Sequence, residues 1–351
     1  MFQKIFLLLA FSLTGCSGAI STPPAPPMQT LASAPTRAPA QPAATVAASD
    51  APAPKFSEFQ IPTQGAFPHS ITIDASGVIW FTELNAHQLG RFDPATQKFE
   101  EYRIPTAGGG PHGIGVSNDG AVWVTEINAS KLARFDPVTK TFKEFPLPSA
   151  NAGPHTIAFD KNFLWVTEQR GGRVARMEMT NGEIKEFTPP TPNNGAYGIT
   201  VGKDGAGWFA ALSGHFVGRV DPGSGAVTEL RPPTAGQGAR RIIADAQGIL
   251  WITEFSAGKL ARLDPETKAF REFVIPTPNS GPYAIALDSK GRVWLSEFNT
   301  NKLARFDPGT EKFEEYDMPS ASTGCRTLAL DASGNVWCPG SGVNKLVRLT
   351  P

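Results

Sequence analysis

Histidine and glutamate recur in this chain in an order that could support acid–base or metal chemistry. Three Pro-His pairs are each followed by a Thr-Glu pair whose glutamate lies 13 or 14 residues after the histidine. An imidazole beside a carboxylate suits a general base, because the carboxylate sets its tautomer and its pKa. Clustered carboxylates can also hold a hard divalent cation. The candidate catalytic residues are His69, His112 and His155, and the candidate metal ligands are Glu83, Glu126 and Glu168.

The tryptophans indicate that these pairs belong to a repeat of seven units. All seven tryptophans lie 42 or 43 residues apart, and an arginine follows each of them at the eleventh position. Within a unit, short segments rich in branched and aromatic residues alternate with turn sequences such as SNDG and DPVT. Four strands in a unit of about 43 residues are typical of a β-propeller blade. We therefore predict an all-β, seven-bladed β-propeller, in which the repeated Trp and Arg residues have structural and not chemical roles.

The two ends of the repeat complete each other. Residues 55–62 (KFSEFQIP) have the pattern of a fourth strand, whereas the chain finishes with KLVRLTP, the pattern of a third strand. The seventh blade therefore lacks its outer strand, which the amino-terminal segment can supply without leaving an open edge. The prediction is a propeller over 55–351, closed by the N-terminal strand pairing into the last blade.

A hairpin within each blade should bring the start of its first strand and the end of its second strand to one face. Neighbouring strands lie about 4.8 Å apart, so we expect His112 and Glu126 at the same end of their blade. The loops on this face are longer and rich in Gly and Pro, as is usual around a binding or active site. One predicted ring at the channel mouth comprises His69, His112, His155, Tyr197, Arg240, Tyr283 and Arg326. The other comprises Glu83, Glu126, Glu168, Ala211, Glu254, Glu297 and Gly340.

Two interpretations of these rings remain open. In the functional one, Tyr197, Arg240, Tyr283 and Arg326 are candidate substrate-binding residues beside the His and Glu residues of the first three blades. In the structural one, each glutamate only bonds backbone or threonine within its blade, and the histidines fill the rim. Uniform positions are explained by folding, whereas the loss of the carboxylate in blades 4 and 7 calls for another cause.

The first 54 residues read as a targeting segment and a tether. Residues 1–15 form a short apolar stretch behind Lys4, typical of a secretory signal peptide, and they lead into LTGC, which resembles the bacterial lipobox. That resemblance implies cleavage before Cys16 and its lipidation. Residues 16–54 are rich in Pro and Ala and should form a semi-extended tether. We expect an exported lipoprotein of the cell envelope, on the periplasmic side of the outer membrane, that contacts the membrane through its anchor alone.

Charge and cysteine content limit the possible partners. The net charge is zero, so nothing suggests steering toward nucleic acid. Cys325 and Cys338 both fall in the last repeat, and an exported protein is permitted a disulfide between them. We expect a monomer that acts on a small cyclic peptide or ester, or that binds a peptide or glycan.

The unit PHGI…DG.VWVTE….KLARFDP and links such as IPTPNSGPYAI resemble the virginiamycin B lyase (streptogramin lyase) family over about 55–351. The resemblance implies a seven-bladed propeller that opens a cyclic depsipeptide antibiotic by elimination across an ester, an antibiotic-resistance activity. It also implies a histidine of a Pro-His pair as base, a second such histidine in the adjacent blade, and glutamates that hold Mg²⁺. The Mg²⁺ would polarise the carbonyl group.

The first functional hypothesis carries this chemistry onto the present chain. His112 or His155 would be the base, with Glu126 and Glu168 as ligands of Mg²⁺. The family's histidines, however, belong to the last two blades, where this chain has Tyr283 and Arg326.

The second hypothesis is a non-catalytic envelope lipoprotein whose propeller face binds a peptide, glycan or protein ligand. Its basis is the anchor together with the departures in the last blades, where Gly340 replaces the strand-end glutamate. Arg240, Arg241 and Arg326 would suit an anionic ligand. A metal-dependent lactonase or esterase is a third possibility, although six blades are usual in those enzymes.

Overall fold

The structure, a computed structural model, describes residues 53–351. They form 28 β-strands in seven four-stranded antiparallel sheets, each of which is one blade of a propeller. Within this range no helix is long and apolar enough to cross a membrane. The predicted signal peptide, Cys16 and nearly all of the tether lie outside the described residues.

The strands of each blade follow one another in the chain. Blades 1 and 2 comprise β2 (Pro68–Ile73), β3 (Ile79–Glu83), β4 (Gln88–Asp93), β5 (Lys98–Arg103), then β6 (Pro111–Val116), β7 (Val122–Glu126), β8 (Lys131–Asp136), β9 (Thr141–Pro146). Blades 3 and 4 comprise β10 (Pro154–Phe159), β11 (Phe163–Glu168), β12 (Arg173–Glu178), β13 (Ile184–Phe187), then β14 (Ala196–Val201), β15 (Gly207–Ala211), β16 (Phe216–Val220), β17 (Val227–Leu230). Blades 5 and 6 comprise β18 (Ala239–Ala244), β19 (Leu250–Glu254), β20 (Lys259–Leu263), β21 (Phe270–Val274), then β22 (Pro282–Leu287), β23 (Val293–Glu297), β24 (Lys302–Asp307), β25 (Lys312–Asp317). Blade 7 comprises β26 (Ala329–Leu330), β27 (Val336–Gly340), β28 (Lys345–Thr350) and β1 (Lys55–Gln60).

The first described strand closes the propeller. β1 pairs antiparallel with β28, from Lys55 opposite Thr350 to Gln60 opposite Lys345. The last sheet thus has the order β1-β28-β27-β26. This confirms the predicted closure, which leaves no third strand of blade 7 unpaired.

The tryptophans pack each blade against the next. The Trp80 ring centroid lies 5.7 Å from that of Phe135 in blade 2, and Trp337 of blade 7 lies 6.0 Å from Phe92 of blade 1. The turn before each tryptophan is held in the same way in most blades: in blade 1 the Trp80 indole N–H donates to Asp74 at 2.8 Å. The periodic Trp series therefore serves the contact between blades, as the sequence indicates.

Blade 4 departs from this pattern. In the other six blades an aromatic ring of the fourth strand lies 5.3–6.2 Å from the tryptophan. In blade 4 this position is Leu230, and Gly202 stands where most blades have the Asp or Ser that accepts the indole N–H. A cavity of about 530 Å³ beside Trp208 and Leu230 results. It lies at the turns opposite the His and Glu face, so it is separate from the predicted site.

Leu230→Phe should stabilise the protein, because the new ring would fill part of this cavity and stack on Trp208. Aromatic pairs of this kind contribute about 0.5–1.5 kcal/mol beyond the area they bury. The free energy of unfolding, measured with denaturant, should rise by about that amount. The matched change Phe273→Leu in blade 5 should lower it, and a destabilised Leu230→Phe variant would contradict the packing described here.

Candidate functional site

The aromatic members of the first predicted ring lie in contact around the channel. The ring centroids of His69 and His112 are 3.8 Å apart, those of His112 and His155 are 4.0 Å apart, and those of His155 and Tyr197 are 3.8 Å apart. The three imidazoles are only 1–6% exposed. Strand order therefore brings together residues that are 42 or 43 positions apart in the chain.

Threonine of the Thr-Glu pairs holds these first strands at a fixed separation. The Thr82 hydroxyl accepts the backbone N–H of Ser70 at 3.0 Å and donates to the carbonyl oxygen of His112 in the next blade, also at 3.0 Å. Thr125 repeats the arrangement toward His155. The recurrence of Thr at this position is thus explained by a hydrogen bond that links adjacent blades.

The arginines of the ring lie among aromatic side chains. The guanidinium carbon of Arg240 is 3.8 Å from the ring centroid of Tyr283, 4.2 Å from that of Phe255 and 4.9 Å from that of Tyr197. The two tyrosine hydroxyl groups share a hydrogen bond. Arg240 therefore joins blades 4, 5 and 6 at the channel mouth through cation–π contacts.

Arg326 has a similar environment on the other side of blade 6. Its guanidinium carbon is 4.7 Å from the ring of Phe298 and 5.0 Å from that of Phe67. Sequence reasoning missed Phe67, Phe255 and Phe298. A signal existed for two of them, because phenylalanine follows the strand-end glutamate only in blades 5 and 6.

The imidazoles at the mouth are neutral at physiological pH. Burial and the nearby Arg241 guanidinium lower the pKa of His112 to about 3. Burial, together with His112 and Arg241, holds the pKa of His69 and that of His155 well below the usual value. Neutral imidazoles can accept a proton, and they leave the guanidiniums as the cations of the mouth.

The strand-end glutamates face away from the histidines. Glu126 is fully buried beneath the loop between blades 1 and 2, where a Cβ atom on Gly109 would lie 2.4 Å from its Oε2. Burial and the neighbouring carboxylate of Glu144 raise the pKa of Glu126 to about 7. Pro111 pairs with Glu126 in the sheet, so the backbones of His112 and Glu126 do share one end of the blade. Their side chains nevertheless take different directions.

A fourth-strand glutamate accompanies the buried glutamate in each of these blades. Glu144 accepts hydrogen bonds from the N–H and hydroxyl of Thr106, at 3.0 and 2.8 Å. It also forms an ion pair with Lys131 at 2.6 Å. The same two hydrogen bonds recur in the four other blades that have a strand-end glutamate, for Thr63 with Glu101, Ser149 with Glu186, Thr234 with Glu272 and Thr277 with Glu315. These carboxylates therefore anchor the loops between blades.

The break in the glutamate ring has a packing explanation in blade 4. Ala211, which replaces the strand-end glutamate, pairs in the sheet with Phe216, which replaces the lysine or other polar residue found there in most blades. Acid and cation are lost together, and an apolar contact takes their place. This observation favours a structural role for the second ring, but not the expected bonds to backbone or threonine, because the carboxylates of Glu83, Glu126 and Glu254 accept no hydrogen bond within the described residues.

The last blade contains a disulfide. Cys325 and Cys338 are bonded through their sulfur atoms, with Cα atoms 5.7 Å apart. Cys325 lies directly before the ring residue Arg326, and Cys338 lies within β27. The bond therefore ties the start of the first-strand segment of blade 7 to its second strand.

Comparison with known proteins identifies the family to which this propeller belongs. The model of the virginiamycin B lyase family matches residues 48–179 and 160–351. The chain belongs to this family. No curated protein matches it at a significant level.

Solved structures of family members are similar over the whole propeller. Virginiamycin B lyase from Staphylococcus aureus is 29% identical, with a TM-score of 0.80 over 85% of this chain and 100% of that one. The structure of its catalytically inactive histidine-to-alanine variant with quinupristin matches equally well. A propeller described as YCF48 bound to D1 peptide is 16% identical, with a TM-score of 0.68 over 84% of this chain and 95% of that one, and it shares the fold alone.

The magnesium ion implied by the family does not fit the residues of this chain. Glu126 contacts Glu144 under one loop, whereas Glu168 bonds Arg173 at 2.9 Å and neighbours Glu186 under the next. Residues 53–351 contain no group of three or more His, Cys, Asp or Glu side chains arranged to hold a metal ion. A metal is therefore not part of the mechanism that we propose.

The stability of the Glu254→Gln variant relative to the wild type should increase as the pH rises from about 4.5 to 8. Burial and Glu272 raise the pKa of Glu254 from 4.5 to about 8, so in this window the folded state holds a proton that the unfolded state has released. The free energy of unfolding then falls by up to about 1.4 kcal/mol per pH unit for this group. Glutamine is always neutral, so the variant lacks this decrease in the free energy of unfolding.

Denaturant unfolding at several pH values would measure the difference between wild type and variant. The difference should be small near pH 4.5 and should grow toward pH 8. The control Glu266→Gln changes an exposed glutamate and should show no such trend. A constant difference for Glu254→Gln would mean that this carboxyl group is not held neutral in the fold.

Proposed function

We propose that this protein is a lyase that opens a cyclic depsipeptide or a related ester by elimination, with His112 as the base. The observation that carries the proposal is the position of the His112 Nδ1 atom, 3.3 Å from the carbonyl oxygen of His155. A carbonyl oxygen only accepts, so Nδ1 carries the proton and Nε2 keeps its lone pair. His69 and His155 instead place Nδ1 against hydroxyl groups, which fix no tautomer.

The arginines supply the positive charge that this reaction needs. As the imidazole takes the proton alpha to the carbonyl, negative charge develops on the carbonyl oxygen, and a guanidinium such as that of Arg240 can stabilise it. A double bond then forms between the alpha and beta carbons while the bond between the beta carbon and the ester oxygen breaks. The departing carboxylate can pair with a second guanidinium such as that of Arg326.

His112→Phe should abolish turnover of a cyclic depsipeptide such as quinupristin, because phenylalanine preserves the stack of rings but cannot accept a proton. Mass spectrometry distinguishes the chemistry: elimination gives a linear isomer of unchanged mass, whereas hydrolysis adds one water. The acid limb of the wild-type pH–rate profile should lie well below the range usual for histidine, since the pKa of His112 is about 3.

His69→Phe is the matched control and should retain turnover, because its neighbour would still provide the base. A chelator should leave the rate unchanged. Equal rates for wild type, His112→Phe and His155→Phe would contradict a histidine-based lyase.

The second candidate function is capture of an anionic peptide or glycan without turnover. It is favoured by Tyr283 and Arg326, which occupy the last two blades where the family's histidines are expected. Arg240 and Arg326 are both partly accessible and flanked by aromatic rings, an arrangement that suits a carboxylate-bearing ligand.

Arg240→Ala should weaken binding of a peptide with a free C-terminal carboxylate by at least about tenfold, because a charge-assisted hydrogen bond is lost. Calorimetry would measure this, with Arg271→Ala, an exposed ion-pair residue far from the ring, as control. Unchanged binding by Arg240→Ala would remove this candidate. Conversion of the captured ligand would favour the lyase.

A further inference from the structure

The second layer of the channel, one residue along each first strand from the ring, contains a single large side chain. Its seven positions are Ser70, Gly113, Thr156, Gly198, Arg241, Ala284 and Thr327. Six of these residues are small, and they leave space around the seventh. A cavity of about 190 Å³ is lined by Arg241, by the hydroxyl residues Ser70, Thr156 and Thr327, and by apolar residues such as Ile157.

Arg241 is a buried cation whose charge has no partner. Only 7% of the residue is exposed. Its Nη1 donates to the hydroxyl of Thr156, two blades away, at 2.7 Å, whereas Nε and Nη2 have no acceptor within the described residues. No carboxylate in this part of the chain lies within 4.0 Å of the guanidinium.

The neighbouring groups do not neutralise this charge. His69, His112 and His155 are neutral, and burial raises the pKa of Tyr197 to about 12. Burial acts to raise the pKa of Tyr283, but the Arg240 and Arg241 guanidiniums lower it overall; its hydroxyl is hydrogen-bonded to that of Tyr197. The rings of Tyr197 and Tyr283 lie 5.4 and 5.9 Å from the Arg241 guanidinium carbon, which is a cation–π contact and not a counter-charge.

An uncompensated buried charge strongly destabilises a fold. Folded proteins accordingly pair such charges or bind a counter-ion. The Nε and Nη2 atoms form the edge of a guanidinium that binds both oxygens of a carboxylate at once. The free volume exceeds the roughly 30 Å³ that one water occupies in the liquid, so a small carboxylate has room beside the hydroxyl groups.

We infer that the channel cavity is a binding site for a carboxylate, held by the guanidinium of Arg241 and by the hydroxyl group of Ser70. The site differs from the ring above it, where Arg240 and Arg326 are partly accessible. It is independent of catalysis, because it needs neither proton transfer nor turnover. Either a free small acid or the terminal carboxylate of a longer ligand supplies the same chemistry.

Thermal unfolding of the full chain in increasing acetate, with ionic strength held constant by sodium chloride, tests the site. A ligand that binds only the folded state stabilises it by RT ln(1 + L/Kd), where L is the ligand concentration, so the melting temperature rises as L exceeds Kd. The wild type and the control Arg271→Met should both be stabilised by acetate but not by acetamide, its neutral analogue. Arg241→Met, which removes the charge at similar volume, should weaken acetate binding at least about tenfold.

Arg241→Met should fold, because replacing an unpaired buried charge by an apolar side chain is often neutral or stabilising. Should it fail to fold, Arg241→Lys, which keeps the charge but loses the two-atom edge, provides the comparison. Equal stabilisation by acetate and chloride, equal stabilisation by acetate and acetamide, or a tyrosinate absorbance band at neutral pH would each overturn the inference.

The source of the carboxylate follows from a second comparison. A short peptide with a free C-terminus and its amidated form are titrated into the wild type. Tighter binding of the free acid than of acetate supports the terminus of a longer ligand, and binding of acetate alone supports a free small acid. Equal binding of the free and amidated peptides, with no effect of acetate, would contradict a carboxylate site.

Discussion

The closed circle of seven blades is the constraint on which the remaining structure depends. Closure by β1 against β28 forces all seven first strands to face one narrow channel. Hydroxyl groups such as that of Thr82 then fix the separation of neighbouring first strands. Side chains at equivalent positions must therefore meet, and what they do there depends on which residue each blade contributes.

Crowding at the channel determines the electrostatics of its mouth. The three imidazoles, each in contact with the next, are buried and remain neutral, and their neutrality leaves the arginines as the charged groups. The acidic residues do not balance these cations, because they face the loops between blades. The mouth is thus suited to anions and to developing negative charge, whether a ligand is converted or only held.

The fold could be predicted because one sequence pattern occurs seven times in the chain. The Trp spacing, the turn sequences and the missing outer strand of blade 7 each indicated the closed propeller, and the structure confirms it. The candidate site was predicted less completely. Register located His112 and Glu126 at one end of blade 2, but Glu126 pairs with Pro111 and not with His112, and successive side chains of a strand point to opposite sides of the sheet.

The sequence by itself determined the number of blades, their closure and the identity of the residues around the channel, because these follow from local pattern and period. Only the tertiary structure decided which charges meet. Glu126 lies against Glu144 and not against His112, and Arg241 reaches Thr156 two blades away. Such contacts join residues from different strands and blades, and their pKa values depend on burial, which no spacing in the chain encodes.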